Sequence, residues 1–279
     1  MKQSSYLING DAKQTISPFD RGFAYGDGVF RTMRVQGGLP VHWHLHYQKL
    51  VSDCASIGIV CPSAELLMDD IHCLFIDDVP SNITSVAKVI ITRGEGERGY
   101  VTPAITTPLR VVIKSAMPKS INRNMILGVE LLVCKTRLAK QFKLAGVKHL
   151  NRLENIMARM EWRDEKIFDG ILLNEADHVI ECTMCNIFAR FGNELLTPDL
   201  TECGVAGVTR DQTLGLSKQL NLNVKKDSFT LNQLLFADEI VVTNTLFGAY
   251  QVNKIADKQW PMQDLANHIR ELLKYNETF

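Results

Sequence analysis

Short runs of β-branched and aromatic residues, each closed by glycine, proline or a polar turn, recur along this chain and limit what it can fold into. They are residues 29–35, SVAKVIITRG from Ser85, LRVVIKSA from Leu109, and then DGILLN, HVIECTMCNIFARF, NELLTP, EIVVTNT and AYQVNKI. Such runs predict strands, and the pair Gly37 and Gly38 predicts a hairpin turn. Helical periodicity is confined to 45–57, closed by Gly58, to 64–75 with Ser63 as N-cap, and to a few later stretches. The later ones follow Lys148, lead up to Leu220, start at the capping-box pair Thr230 and Gln233, and cover DLANHIRELLKY. The pattern is α+β. A polar stretch at 118–124 divides it into a smaller N-terminal α/β domain, 1–119, and a larger C-terminal domain, 120–279. The second domain opens with a strand over 126–135 and continues as a mixed or antiparallel sheet, read as a meander around the turns NEAD and GN.

At 279 residues, 46% of them hydrophobic, the chain can bury two cores. Its 31 basic and 31 acidic residues cancel, so neither nucleic acid nor an anionic membrane is expected as a partner. Apolar runs fall well short of the about 20 residues a membrane span needs. Seven cysteines with no secretory leader before Tyr6 fit a reducing, cytoplasmic setting.

Several motifs invite a function and fail on context. GEGERG, residues 94–99, has dinucleotide-loop spacing, but the prolines and β-branched residues of YVTPAITTP exclude the helix that must follow. HWHLH would place His42, His44 and His46 on one face of a strand, and Cys182 and Cys185 form a C-x-x-C inside a strand that would point them to opposite faces. No metal site is expected from either, although together they define a zinc-binding scaffold as a rival reading.

Three other features carry chemistry. Lys148 precedes Leu150, Leu153, Ile156, Met157 and Met160, whose helical spacing predicts a buried face. It reads as a solvated loop lysine or as a buried one suited to imine chemistry. GVAGVTRD delivers backbone N–H groups to a helix start near Thr209, as a capped helix or as a phosphate site. Glu181, among apolar strand neighbours, is edge-exposed or buried with a cationic partner such as a protonated pyridine nitrogen. A lysine, a strand carboxylate and a phosphate loop are together the requirements of pyridoxal 5'-phosphate.

With DRGFAYGDGVFRTMRV, RGEGERGY, GVKHLNRLE, HVIECTMCNIF and GVAGVTRD in order, the sequence resembles the fold-type IV pyridoxal-phosphate enzymes. These include branched-chain and D-amino acid aminotransferases and aminodeoxychorismate lyases, and RGEGERGY with KHLNRLE leans toward the lyase branch. The resemblance implies a two-domain fold-type IV enzyme in which Lys148 holds the cofactor and Glu181 pairs with its pyridine nitrogen. Val208, Thr209 and Thr245 would contact the phosphate. Arg98 and Tyr100 would reach a substrate carboxylate across a homodimer. Lys49 stands where the family often has a phosphate-binding arginine; it keeps the charge without the fork geometry. Asp177 stands where glycine is frequent, and tolerates the left-handed conformation.

Overall fold

The computed structural model describes residues 5–80, 83–119 and 121–275. It forms two compact units, the first comprising the chain up to Met117 with Val147–Asn151, the second Pro118–Gly146 and the chain from Arg152 onward. The division thus falls at Pro118 rather than after 119, and the Lys148 segment belongs to the first unit, a return that a contiguous division does not contain.

In the first unit β1 (Ser5–Ile8), α1 (Arg21–Tyr25), β2 (Gly28–Gln36), β3 (Leu39–Pro40), α2 (Trp43–Ser56), α3 (Ala64–Phe75), β4 (Thr84–Thr92) and β5 (Leu109–Ala116) follow in order. The strands make one antiparallel sheet, β1-β5-β4-β2-β3. Alternate residues of β2 and β4 face the helices: Val29, Met33, Val35, Ala87, Val89 and Ile91 pack with Leu50 and Cys54 of α2 and Leu67, Ile71 and Phe75 of α3. Arg31 lies on that same face by the two-residue period, so a guanidinium enters the core. Gly37 and Gly38 turn the β2–β3 hairpin with φ of 52° and 81°. Ser63 caps α3 by accepting from the Leu66 N–H at 3.3 Å.

β3 pairs only with Val35 and Gln36, and the Lys148 segment docks further along that edge of β2. The Leu150 N–H donates to the Gly28 carbonyl at 2.9 Å and the Phe30 N–H to the Lys148 carbonyl at 3.0 Å.

The second unit contains α4 (Ile121–Leu127), β6 (Val129–Leu138), α5 (Leu153–Arg159), β7 (Ile167–Asn174), β8 (Val179–Cys182), β9 (Asn186–Phe191), β10 (Glu194–Thr197), α6 (Val208–Leu214) and α7 (Ser217–Leu220). β11 (Asn223–Lys226), α8 (Leu231–Leu235), β12 (Glu239–Asn244), β13 (Gly248–Ile255), β14 (Lys258–Gln259) and α9 (Leu265–Leu272) complete it. Its sheet is mixed, in the order β11-β10-β9-β12-β13-β6-β7-β8 with β14 on β13. The β10–β11, β13–β6 and β6–β7 pairs are parallel. The capping box of Thr230 and Gln233 opens α8.

Four further expectations differ from the structure. Residues 126 and 127 end a helix, and Gly128, at φ 72°, turns the chain so that the strand starts at Val129. The helix up to Leu220 is two, interrupted at Gly215 and Leu216. α5 does not bury its apolar row: Leu153, Ile156, Met157 and Met160 are all exposed, and the small Ala158 makes the packed contact.

The fourth concerns the strand expected over HVIECTMCNIFARF, which breaks at Thr183. Buried Asp169 accepts from the Thr183 N–H and hydroxyl and from the Met184 N–H, turning the chain between β8 and β9. The two strands consequently do not pair as a meander. β8 pairs with β7, and β9 with β10 and β12.

Candidate active site

Lys148 is half-buried, and its main chain is held on both sides. Its N–H donates to Asp53 Oδ2 at 3.2 Å and its carbonyl accepts from Phe30, while its Nζ lies 4.8 Å from the centre of the Phe30 ring. On α2, His46, Lys49, Leu50 and Asp53 share one face through their three- and four-residue spacing. Asp53 also accepts from buried Arg31. Burial pushes the Asp53 carboxyl above its ordinary range, against the pull of Arg31, the Lys148 N–H and Lys49. His46 is pushed down to about 3 by burial and by Arg31, His42, His44 and Lys148.

Glu181 occupies the other extreme, only 4% exposed on β8 opposite Leu172. Its Oε2 accepts from the Val205 N–H at 2.8 Å. Val205 in turn bridges to Gly146, whose N–H donates to the Gly204 carbonyl at 2.9 Å. At Gly204, φ is 86° and a Cβ would stand 2.7 Å from Ile180 Cγ2, so only glycine fits. Asn186 clamps the same loop, donating to the Val205 carbonyl at 2.8 Å and accepting from the Gly207 N–H at 3.1 Å. Gly207 is the N-cap of α6 and offers no side chain to the first-turn N–H groups of Val208 and Thr209. Both residues are buried, and Thr209 Oγ1 lies 3.4 Å from the Tyr275 hydroxyl.

Thr245 stands in the turn between β12 and β13, after Asn244, whose Oδ1 accepts from the Leu246 N–H at 2.9 Å. β12 runs beside β9, with Thr243 opposite Asn186, so this turn and the Gly207 loop belong to one sheet region. In the first unit Arg98 and Tyr100 lie on an exposed loop, Tyr100 being 86% exposed. The loop is tied down at Gly99, which accepts from Arg21 Nη1 at 3.0 Å and donates to the Tyr25 hydroxyl at 3.0 Å. Asp27 pairs with both Arg21 and Arg93, at 2.9 and 2.7 Å. Burial pushes its carboxyl up, but the two arginines outweigh that and hold it below its ordinary range. As expected from YVTPAITTP, no helix follows GEGERG.

The histidine and cysteine motifs differ from their sequence reading. HWHLH begins α2, so the side chains diverge, His46 inward and His44 to solvent. Cys182 and Cys185 flank the turn at Thr183, with the Cys182 N–H donating to the Cys185 carbonyl at 2.7 Å. Among the described residues no group of three or more His, Cys, Asp or Glu is arranged to hold a metal ion. Sequence reasoning missed Arg31, Asp53 and Asn186, whereas Gly204 lies in the GVAGVTRD loop it singled out. The two-residue period of β2 could have flagged Arg31 as a charge on a core face.

The family model described as amino-transferase class IV matches residues 28–255. An aminodeoxychorismate lyase from Vibrio harveyi is 34% identical over 251 residues, 90% of this chain and 91% of the relative. The crystal structure of 4-amino-4-deoxychorismate lyase from Pseudomonas aeruginosa superposes with a TM-score of 0.90 at 35% identity, covering 98% of this chain and 100% of that one. A D-alanine aminotransferase from Listeria monocytogenes is 27% identical over 234 residues, 83% of this chain and 79% of the relative.

Proposed function

Because the chain belongs to the class IV aminotransferases and has their two-domain fold-type IV architecture, we propose that it is an aminodeoxychorismate lyase. It would convert 4-amino-4-deoxychorismate to p-aminobenzoate and pyruvate, for folate synthesis, with pyridoxal 5'-phosphate as cofactor. The observation that carries this is whole-length likeness to two lyases, greater than to the aminotransferase.

The residues fit the cofactor. A carboxylate buried on β8, a glycine-formed loop that a Cβ would fill at Gly204 or Gly207, and a helix start without a side-chain cap make a donor and acceptor set for a pyridine ring bearing a phosphate. Glu181 would hold the proton on the ring nitrogen. Val208, Thr209 and Thr245 would hold the phosphate, and Lys49 would supply the positive charge. When bound, the cofactor supplies an electron sink for a carbanion next to the amine. Lys148 would hold the cofactor covalently, give it up to the substrate amine, and take the C4 proton on its Nζ. Loss of that proton and of the enolpyruvyl group leaves an aromatic amine. Arg98 and Tyr100 would bind a substrate carboxylate across a homodimer, for which the exposed row on α5 offers apolar surface. A cytoplasmic setting suits seven cysteines that are all free thiols.

The likeness to D-alanine aminotransferases supports amino transfer as the second reading. Purified protein supplied with 4-amino-4-deoxychorismate is expected to release pyruvate and p-aminobenzoate in equal amounts. Amino transfer from D-alanine or leucine to a keto acid, without those products, would reject the lyase in favour of an aminotransferase. A colourless, metal-containing protein would reject both.

A further inference from the structure

Asp53 joins β2, α2 and the Lys148 segment through a single oxygen. Its Oδ2 accepts both from Arg31 Nη2 and, at 3.2 Å, from the Lys148 N–H. Asp53 is 3% and Arg31 2% exposed, and two charges so far from water form a costly pair. Val29 and Met33 share the core-facing side of β2 with Arg31, and Leu50 and Cys54 are buried on α2 with Asp53. The pair thus stands at the edge of an apolar core, with His46, Lys49 and Lys148 on its other side; apolar side chains at both positions would avoid its cost. A buried pair that is poor value for stability, and whose acceptor also takes a distant peptide N–H, points to the thing held. With the Lys148 carbonyl already taken by Phe30, that second bond fixes the lysine main chain on both sides.

We propose that Asp53 is a positioning residue for Lys148, with Arg31 holding the Asp53 carboxylate at the Lys148 N–H. The inference rests on reading Lys148 as the cofactor-holding lysine. Such an amine must leave one partner and return to within bonding distance of it, so a fixed main chain shortens the search at each cycle.

Two double variants of equal charge test this. Arg31→Leu with Asp53→Asn removes the ion pair but leaves an oxygen for the Lys148 N–H; Arg31→Leu with Asp53→Ala removes that oxygen too. Neither leaves a lone buried charge. The alanine double is expected to fall about 10- to 100-fold below the asparagine double in kcat, at equal KM. Its uptake of pyridoxal phosphate on Lys148, trapped with borohydride and read by intact mass, should slow about tenfold on the same argument. Equal kcat and equal uptake in the two doubles would overturn the proposal. So would a loss confined to KM. A measurement on the unaltered chain guards against misfolding of the variants: the Lys148 amide should exchange with deuterium as slowly as those of Phe30 and Leu150, and fast exchange would reject the bond. Lys148→Ala separates the two levels. Cofactor still trapped in that variant sinks the reading of Lys148 itself, whereas normal trapping on Lys148 in both doubles sinks only the role of Asp53.

Discussion

Lys148 and Glu181 are held by opposite means. In the first unit a side chain, Asp53, holds a backbone, and the lysine Nζ lies 4.8 Å from the centre of the Phe30 ring. In the second a backbone, the Val205 N–H, holds a side chain, whose own main chain is paired in the β7–β8 ladder. A group that, in the proposed role, must swing between partners needs a fixed main chain. One that must keep a charge in place needs a fixed side chain.

The strongest way to break that contrast is Lys148→Ala. Because the hydrogen bonds to Asp53 and from Phe30 are made by the Lys148 main chain and survive the substitution, stability should change by less than about 1 kcal/mol in chemical denaturation. Activity should fall by about 10⁴-fold or more, as when a covalent nucleophile is removed. A large stability loss would mean that the amine is a structural group. Glu181→Gln is the counterpart, since the amide oxygen can still accept from Val205 while the negative charge is gone. Turnover is expected to drop about 10²- to 10³-fold with the fold intact, measured as p-aminobenzoate release. Unchanged turnover would leave the carboxylate with a packing role only.

Smaller in effect, and specific to the carboxylate side, is Gly204→Ala. The left-handed φ and the approach of Ile180 and Leu200 should together cost about 1–3 kcal/mol. Thermal melting reads the loss. A neutral result would show that the loop has room to move, and that Glu181 is held less firmly than Lys148.

Patterns within a dozen residues were legible in the sequence. Ser63, the Thr230–Gln233 box, the Gly37–Gly38 turn and the strand over 109–116 form where expected, because each is decided by local sterics and nearby hydrogen bonds. What failed depends on distant partners. The break at Thr183 is made by Asp169, fourteen residues earlier, and nothing local marks it. The apolar row of α5 has helical spacing but stays exposed, since periodicity gives a face without saying what covers it. For the site, residue chemistry alone singled out Lys148 and Glu181. Of the two alternatives open for Glu181, edge exposure or burial with a cationic partner, burial is observed, with the neutral Val205 N–H donating to the carboxylate. The period of β2 marks Arg31 as a charge on a core face, but its pairing was invisible because Arg31 and Asp53 lie 22 residues apart, and Asp53 and Lys148 lie 95 apart.

The least dramatic difference between the two anchors concerns pH. Buried His46, beside the lysine anchor, is driven from 6.5 down to about 3, by burial first and then by Arg31, His42, His44 and Lys148. Between those two values the unfolded chain binds a proton at this position and the folded chain does not. Protons therefore favour the unfolded state, and stability falls as pH drops from about 6.5 toward 3, by at most about 1.4 kcal/mol per pH unit from this residue. Full stability from this source is present above 6.5, where His46 is neutral in both states. His46→Gln is neutral throughout, so its denaturation free energy, measured from pH 7 to pH 4, should decline less steeply than that of the parent. Parallel curves would mean that His46 takes up its proton within the fold, placing a further positive charge beside Arg31 and Lys148. The lysine anchor would then be a site that tolerates added cation, and Asp53 would carry more of the electrostatic load than a single pairing with Arg31 implies.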